Sequence, residues 1–150
     1  MEIIKNIREE RDLKQSDIAK VIGIERSTYT SYEIGRDTIP LKHLNSLCNY
    51  FNISLDYAMG LTTTKRYRNE SLDINRELIR TRLKSLRKEN KITQESLAKI
   101  LNTSRSTWTG YESGKFLINT LLLYELSKKY NYSMDYLIGK TNTPIKLNNK

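Results

Sequence analysis

The chain has 150 residues, enough for one ordinary domain or two small ones. Its one cysteine excludes an intrachain disulfide, and with only one histidine we expect neither a zinc site nor another cofactor. No apolar run approaches the length of a membrane span, and the first residues lack a secretory signal, so we expect a cytoplasmic protein without membrane contact. The net charge of +9 is compatible with a polyanionic partner or with a basic solvated surface.

The most informative feature is an internal repeat. When the chain is shifted by 79 residues, positions 7–62 align with 86–141 without a gap, and 21 of these 56 positions are identical. We therefore predict one domain over 1–62 and a second over 78–141, joined by a linker over 63–77 that merges into the next helix. A tail over 142–150 completes the chain.

Within each copy the apolar residues recur at intervals of three and four, which predicts helices rather than strands. In the first copy we predict a helix that ends near Arg11, a second over 15–22 and a third over 26–34. A fourth begins at Pro40, and a fifth begins at Ser54, whose hydroxyl suits an N-cap. The second copy repeats this order, so the expected fold is all-α, with two tandem five-helix domains.

Two helices joined by a tight turn recur in both copies. The first copy reads Gln15-Ser-Asp-Ile-Ala19-Lys-Val-Ile-Gly23 and closes with Tyr32-Glu33-Ile-Gly35. The second reads Gln94-Glu-Ser-Leu-Ala98-Lys-Ile-Leu-Asn102 and closes with Tyr111-Glu112-Ser-Gly114. This pattern resembles the phage repressor and Cro (XRE-type) family of helix-turn-helix proteins over about four fifths of the chain.

The resemblance implies a sequence-specific transcriptional regulator, of repressor type, whose partner is double-stranded DNA. It also implies two ion pairs inside the domains, Arg8 with Glu33 and Arg87 with Glu112. The third helix of each copy would lie in the major groove, where each base pair presents a distinct pattern of donors and acceptors.

Helical spacing separates the two faces of each recognition helix. Tyr29 and Tyr32 point inward in the first copy, as do Trp108 and Tyr111 in the second, so we expect these aromatic residues to be core. The residues predicted to contact DNA are Gln15, Arg26, Ser27, Thr30, Ser31 and Arg36 in the first copy, and Gln94, Ser104, Arg105, Ser106, Thr109, Gly110 and Lys115 in the second.

Some of these residues have two interpretations. Arg26 and Arg105 suit guanine, whose O6 and N7 a guanidinium bonds together, but either residue could instead hold a phosphate. Gln15 and Gln94 open the preceding helix, where an amide could reach a phosphate or simply cap the helix.

The first copy departs from the family pattern. Glu25 stands at the N-cap of its recognition helix, where its carboxylate would repel phosphates. Residues 1–62 contain eight Lys and Arg against nine Asp and Glu, whereas residues 78–141 contain twelve against five. The second domain is therefore the better candidate for DNA binding, and the first could instead form a homodimer or bind a protein partner.

Two other classes of function compete with a regulator. An enzyme is disfavoured because the sole histidine, His43, lies in a helix without a nucleophile motif, and because no Gly-rich phosphate loop is present. A protein-interaction module of the antitoxin or inhibitor type stays open, since a fold does not determine a function.

For the linker we expect a solvated segment, although Lys65, Arg66 and Arg68 could touch DNA. Fifteen extended residues reach about 50 Å, so two recognition helices could occupy half-sites about 34 Å apart, one turn of DNA. Docked domains, direct repeats and dimerisation through either domain stay open. We expect the tail from Asn142 to be loose.

Overall fold

The structure of the protein is a computed structural model that describes residues 1–145 and 147. In this part of the chain all regular secondary structure is helical, in two successive sets of five helices, as predicted. The first set is α1 (Glu2–Glu10), α2 (Gln15–Ile22), α3 (Arg26–Glu33), α4 (Leu41–Phe51) and α5 (Leu55–Ala58). The second is α6 (Arg76–Glu89), α7 (Gln94–Ile100), α8 (Arg105–Ser113), α9 (Thr120–Tyr130) and α10 (Met134–Leu137).

Each domain packs its helices around one large aromatic side chain on the third helix of the set. Tyr29 on α3 and Trp108 on α8 are completely buried, and Tyr111 is 5% exposed. Tyr32 is only half-buried, against the core. The inward orientation predicted for the aromatic residues is thus confirmed, because three of the four belong to the core and the fourth packs against it.

A buried ion pair connects the first helix of each domain to the third. Arg8 donates from its Nε and Nη2 to the carboxylate of Glu33, at 2.9 and 2.7 Å. Arg87 makes the same two contacts with Glu112, at 2.6 and 3.1 Å. Both pairs implied by the family resemblance are therefore present, and each orients its recognition helix relative to the rest of the domain.

The two domains are docked through their short fifth helices. The Asp135 carboxylate accepts from the backbone N–H groups of Leu55 and Asp56, at 3.0 and 2.9 Å. In return, Asp56 accepts from the backbone N–H of Met134 at 2.7 Å and from the hydroxyl of Ser133. Each aspartate thus satisfies free N–H groups at the start of the other domain's helix, and the reciprocal contacts relate the domains by an approximate twofold axis.

Most residues of the linker are exposed, as expected of a solvated segment, but the linker also bonds to both domains. Asn45 and Asn49 on α4 donate to the carbonyl of Leu72, at 3.0 and 2.9 Å. The backbone N–H of Ser71 donates to the carbonyl of Lys140 in the second domain, at 2.7 Å. Arg66 donates to the carbonyl of Ile53 at 2.7 Å. The linker is therefore attached to both domains, mainly through its backbone groups and through the side chain of Arg66.

Several charged side chains are buried where the linker meets the two domains. Glu70 on the linker lies 3.0 Å from the Nε of Arg66 and 3.9 Å from the Nζ of Lys140, whose side chain is fully buried. Burial raises the pKa of Glu70 to about 9, assisted by hydrogen bonding to Asp135, and burial beside Asp135 raises that of Asp56 to about 7. The docked state thus favours protonation of these carboxylates.

The tail is also more ordered than predicted. Leu147 is buried, and its backbone N–H donates to the Oδ1 of Asn131 at 3.0 Å. Arg82 on α6 donates to the Oδ1 of Asn142 at 3.2 Å. The remainder of the predicted loose tail, 146 and 148–150, lies outside the described residues.

Candidate nucleic-acid interface

The two recognition helices begin differently. At the start of α8, the hydroxyl of Ser104 accepts from the backbone N–H of Thr107 at 3.0 Å. At the start of α3, Glu25 occupies the N-cap without a side-chain hydrogen bond. The second recognition helix is therefore capped locally, whereas the first exposes a carboxylate at the end that would approach DNA.

The candidate reading surface of α8 is its exposed N-terminal half. Arg105, Ser106 and Thr109 are exposed there and succeed one another along one face. On α3, Arg26 and Ser27 are exposed and Thr30 is half-buried. Most of the residues predicted from helical spacing are thus open to a ligand on both helices.

Two predicted contact residues are not outward-facing. Ser31 is buried, at 9% exposure, where the segment after α3 folds back and the N–H of Arg36 donates to the Ser31 carbonyl at 2.9 Å. Gly110, its counterpart on α8, is buried beneath the ring of Phe116. Helical spacing alone did not reveal this burial. It does not account for the segment after each recognition helix, which folds back over the last turns of that helix.

The glutamines that open α2 and α7 bond within their domains. Gln15 accepts from the hydroxyl of Thr30 at 2.7 Å and donates to Glu33 at 3.2 Å. Gln94 repeats both contacts, at 3.3 Å with Thr109 and 3.2 Å with Glu112. The capping interpretation is wrong, because the N-cap positions are those of Lys14 and Thr93. Each glutamine instead bonds both to a threonine of the reading surface and to the glutamate of the buried ion pair.

This network holds the carboxylates of Glu33 and Glu112 ionised. Burial alone would raise their pKa, but the hydrogen bonds outweigh it and keep the pKa of both groups below the usual range. The donors are Arg8 and Gln15 for Glu33, and Arg87, Trp108 and Gln94 for Glu112. A fixed charge inside each domain thus positions the helix that carries the exposed arginine.

The residues that follow each recognition helix extend its surface. Arg36 and Lys115 are both exposed, as their predicted role requires. One residue further on, Asp37 is exposed in the first domain and Phe116 in the second. Sequence reasoning did not select Phe116, although the repeat places it opposite a carboxylate of the first copy.

The segments that follow the two recognition helices also meet between the domains. The loop after α3 meets the loop after α8, where the Thr120 hydroxyl donates to the carbonyl of Ile39 at 2.6 Å. Ile39 lies six residues after the end of α3, and Thr120 seven after the end of α8. This hydrogen bond is a second contact between the domains, apart from those of α5 and α10.

Comparison with known proteins agrees with this architecture. The family description Helix-turn-helix matches residues 4–57, and Helix-turn-helix domain matches residues 81–143. The chain thus belongs to the helix-turn-helix family and carries two such domains in tandem. No solved structure matches the chain significantly.

Three curated relatives illustrate what the chain is similar to. The uncharacterized HTH-type transcriptional regulator YqaE of Bacillus subtilis is 34% identical over 71 residues, 47% of this chain and 61% of that protein. The antitoxin PezA of Streptococcus pneumoniae is 33% identical over 51 residues, 34% of this chain and 32% of PezA. The cryptic phage CTXphi transcriptional repressor RstR of Vibrio cholerae is 33% identical over 52 residues, 35% of this chain and 47% of RstR. The chain therefore spans less than two thirds of the length of each.

Within the described residues no helix is both long enough and apolar enough to cross a bilayer. Cys48 is completely buried on α4, where burial raises the pKa of its thiol, so this cysteine is a core residue.

Proposed function

We propose that this chain is a transcriptional regulator that binds double-stranded DNA in a sequence-specific manner, with α8 as its principal recognition helix. The observation that supports this most directly is the open N-terminal half of α8, where Arg105, Ser106 and Thr109 stand exposed on a basic domain. A helix of this kind fits the major groove, and an arginine there can bond guanine O6 and N7 together.

The docked domains suit a DNA site with two halves. In dimeric regulators the twofold symmetry of the protein matches that of the site, with half-sites about 34 Å apart, one turn of DNA. Here the approximate twofold axis lies within one chain, between α5 and α10. We therefore propose that the two domains of a single chain, which we call its two heads, bind two inverted half-sites of unequal sequence with α3 and α8.

The first head contributes less to affinity. Arg26 and Ser27 repeat the pair on α8, but Glu25 and Asp37 add two exposed carboxylates to the same surface. Phosphate contacts supply much of the affinity for DNA, and these carboxylates oppose them. The first domain thus reads bases at a cost in phosphate binding.

The biological action that follows is repression by occupancy. Two docked domains that cover a DNA site exclude other proteins from it, and one relative, RstR, is named a transcriptional repressor. Because its ligand is chromosomal DNA, we place the protein in the cytoplasm.

The direct test is selection of bound sites from random duplex DNA by the full chain, repeated with Arg26→Ala and Arg105→Ala. We expect two half-sites, with one position of each relaxed by one substitution and a loss of about 1 to 3 kcal/mol for Arg105→Ala. Lys84→Ala, on an exposed part of α6, is the control and leaves the selected site unchanged. Equal binding by Arg105→Ala and the native chain would contradict the assignment of that residue.

A protein-interaction module is the second candidate, supported by the acidic first domain and by the antitoxin relative. In that case the first domain binds a protein partner while α8 alone reads DNA. Selection would then yield a single half-site that is sensitive only to Arg105→Ala. Failure to enrich any site would leave the interaction module as the function.

A further inference from the structure

An exposed aromatic ring lies on the reading surface of the second domain. Phe116 follows α8 by three residues and is 45% exposed. Its backbone N–H donates to the carbonyl of Gly110 at 3.1 Å, which folds the segment back along the helix. Gly114 makes the reversal possible, since its φ of 81° is a left-handed conformation that glycine adopts without strain.

The ring lies directly against the backbone of the recognition helix. A Cβ atom at Gly110 would overlap the Cδ2 and Cε2 atoms of Phe116, so the ring needs a glycine at this position. The first domain has the same turn, in which the N–H of Asp37 donates to the carbonyl of Ser31 at 3.3 Å. One backbone geometry thus supports a carboxylate in the first domain and an aromatic ring in the second.

Phe116 borders an open depression of about 460 Å³ on this surface. Its other walls include Arg105, Ser106 and Thr109 from the exposed side of α8, and Gly110 forms part of its floor. Lys115 places its ammonium 5.4 Å from the ring centre. The depression therefore combines an apolar wall with donors for phosphate and base edges.

The chemistry of the major groove indicates what such a wall binds. Among the four bases, only thymine presents an apolar group there, its C5-methyl, and phenylalanine is one of the residues that contact it. Resting on the proposed function, we propose that Phe116 is a specificity-determining residue whose ring contacts a thymine methyl group in the half-site bound by the second domain. Asp37 offers no such contact, so only this half-site carries the preference.

The contact is measurable by removing one methyl group from DNA. Each thymine of the selected site is replaced singly by deoxyuridine, and the affinity of the full chain is measured for each duplex. We expect one or two replacements in the half-site of the second domain to weaken binding about fourfold, the equivalent of ~0.8 kcal/mol for one buried carbon. In Phe116→Ala this sensitivity disappears at the same positions, and in Phe116→Leu part of it returns.

A matched control and a folding check separate the possible outcomes. Tyr50→Ala removes an aromatic ring that is exposed to a similar degree, 44%, but lies on α4, and it leaves every deoxyuridine effect intact. Thermal unfolding followed by circular dichroism establishes that the variants are folded.

The results distinguish this inference from the function on which it rests. If the native chain selects a site and yet binds it equally tightly with and without each thymine methyl group, this result would overturn the inference, whereas DNA recognition would remain supported. Retention of the deoxyuridine effects in Phe116→Ala would also overturn it, since the ring would then only pack the domain. Without any selected site, the proposed function fails and the inference fails with it.

Discussion

The two domains have a common framework and different reading surfaces. The ion pair, the glutamine that bonds to it and the serine that begins the fifth helix occur in both copies, at equivalent positions. The reading surfaces, by contrast, differ at equivalent positions of the repeat. Glu25 in the first copy corresponds to Ser104 in the second, and Asp37 corresponds to Phe116. The comparison teaches that the geometry for presenting a recognition helix is separable from the chemistry that the helix presents.

The largest effect tests the common framework. Arg8→Ala and Arg87→Ala each leave a buried carboxylate without its partner, which costs about 3 to 5 kcal/mol when a buried pair is broken. We expect similar losses of unfolding free energy in the two domains, measured by urea denaturation. Lys5→Ala, on the exposed side of α1, is the control. A large loss in one domain and a small one in the other would show that the frameworks are not equivalent.

Next in size is the pH dependence of the docked domains. The folded-state pKa values of Asp56 and Glu70, about 7 and about 9, lie above their usual 3.8 and 4.5. The folded chain therefore binds more protons than the unfolded chain between these limits. The contribution of these two groups to stability is therefore full below about pH 4 and falls as pH rises to about 9, by at most about 1.4 kcal/mol per pH unit for each proton.

The groups around Asp56 and Glu70 determine how strongly stability depends on pH in this range. Asp56 faces Asp135 and Tyr67, while Glu70 faces Asp135, Lys140 and Arg66. Urea denaturation of the native chain and of Asp56→Asn between pH 5 and 9 measures the effect, with the exposed substitution Asp73→Asn as the control. We expect a shallower slope in Asp56→Asn. Stability that rises over this range in the native chain would contradict the prediction.

A smaller effect separates the two N-caps. Ser104→Ala removes a side-chain acceptor and should cost about 1 kcal/mol, a typical value for an N-cap serine. Glu25→Ser supplies the acceptor that the first domain lacks and should stabilise it, by less than Ser104→Ala costs the second. Denaturation midpoints of the two variants test the pair. Loss of stability in Glu25→Ser would show that the glutamate has another role.

The smallest effect concerns phosphate contacts. Lys115→Ala should lower the slope of log affinity for DNA against log salt by about 1. Arg36→Ala should change it less, because Glu25 and Asp37 lie on the same surface of the first domain. Titrations of the selected duplex at several salt concentrations test both variants. Equal changes would mean that the two heads contact phosphates equally.

Much of the candidate site was predictable because it depends on local patterns. The repeat and the helical spacing placed Arg26 and Arg105 at the start of exposed helices, where the structure has them. Ser31 and Gly110 were wrongly expected to point outward, because their burial depends on how the chain returns after the recognition helix. Phe116 was missed for the same reason, since an aromatic residue after a glycine gives no local indication of where its ring will lie.

The sequence by itself determined the all-helical class, the two copies and the inward aromatic residues, because helical periodicity and a constant offset are properties of the chain alone. Only the tertiary structure decided that the domains dock. Asp56 and Asp135 each stand in the first turn of a short helix, an ordinary position for an acidic residue. That each one accepts hydrogen bonds from the other domain depends on contacts between residues about 80 positions apart, which no local pattern records.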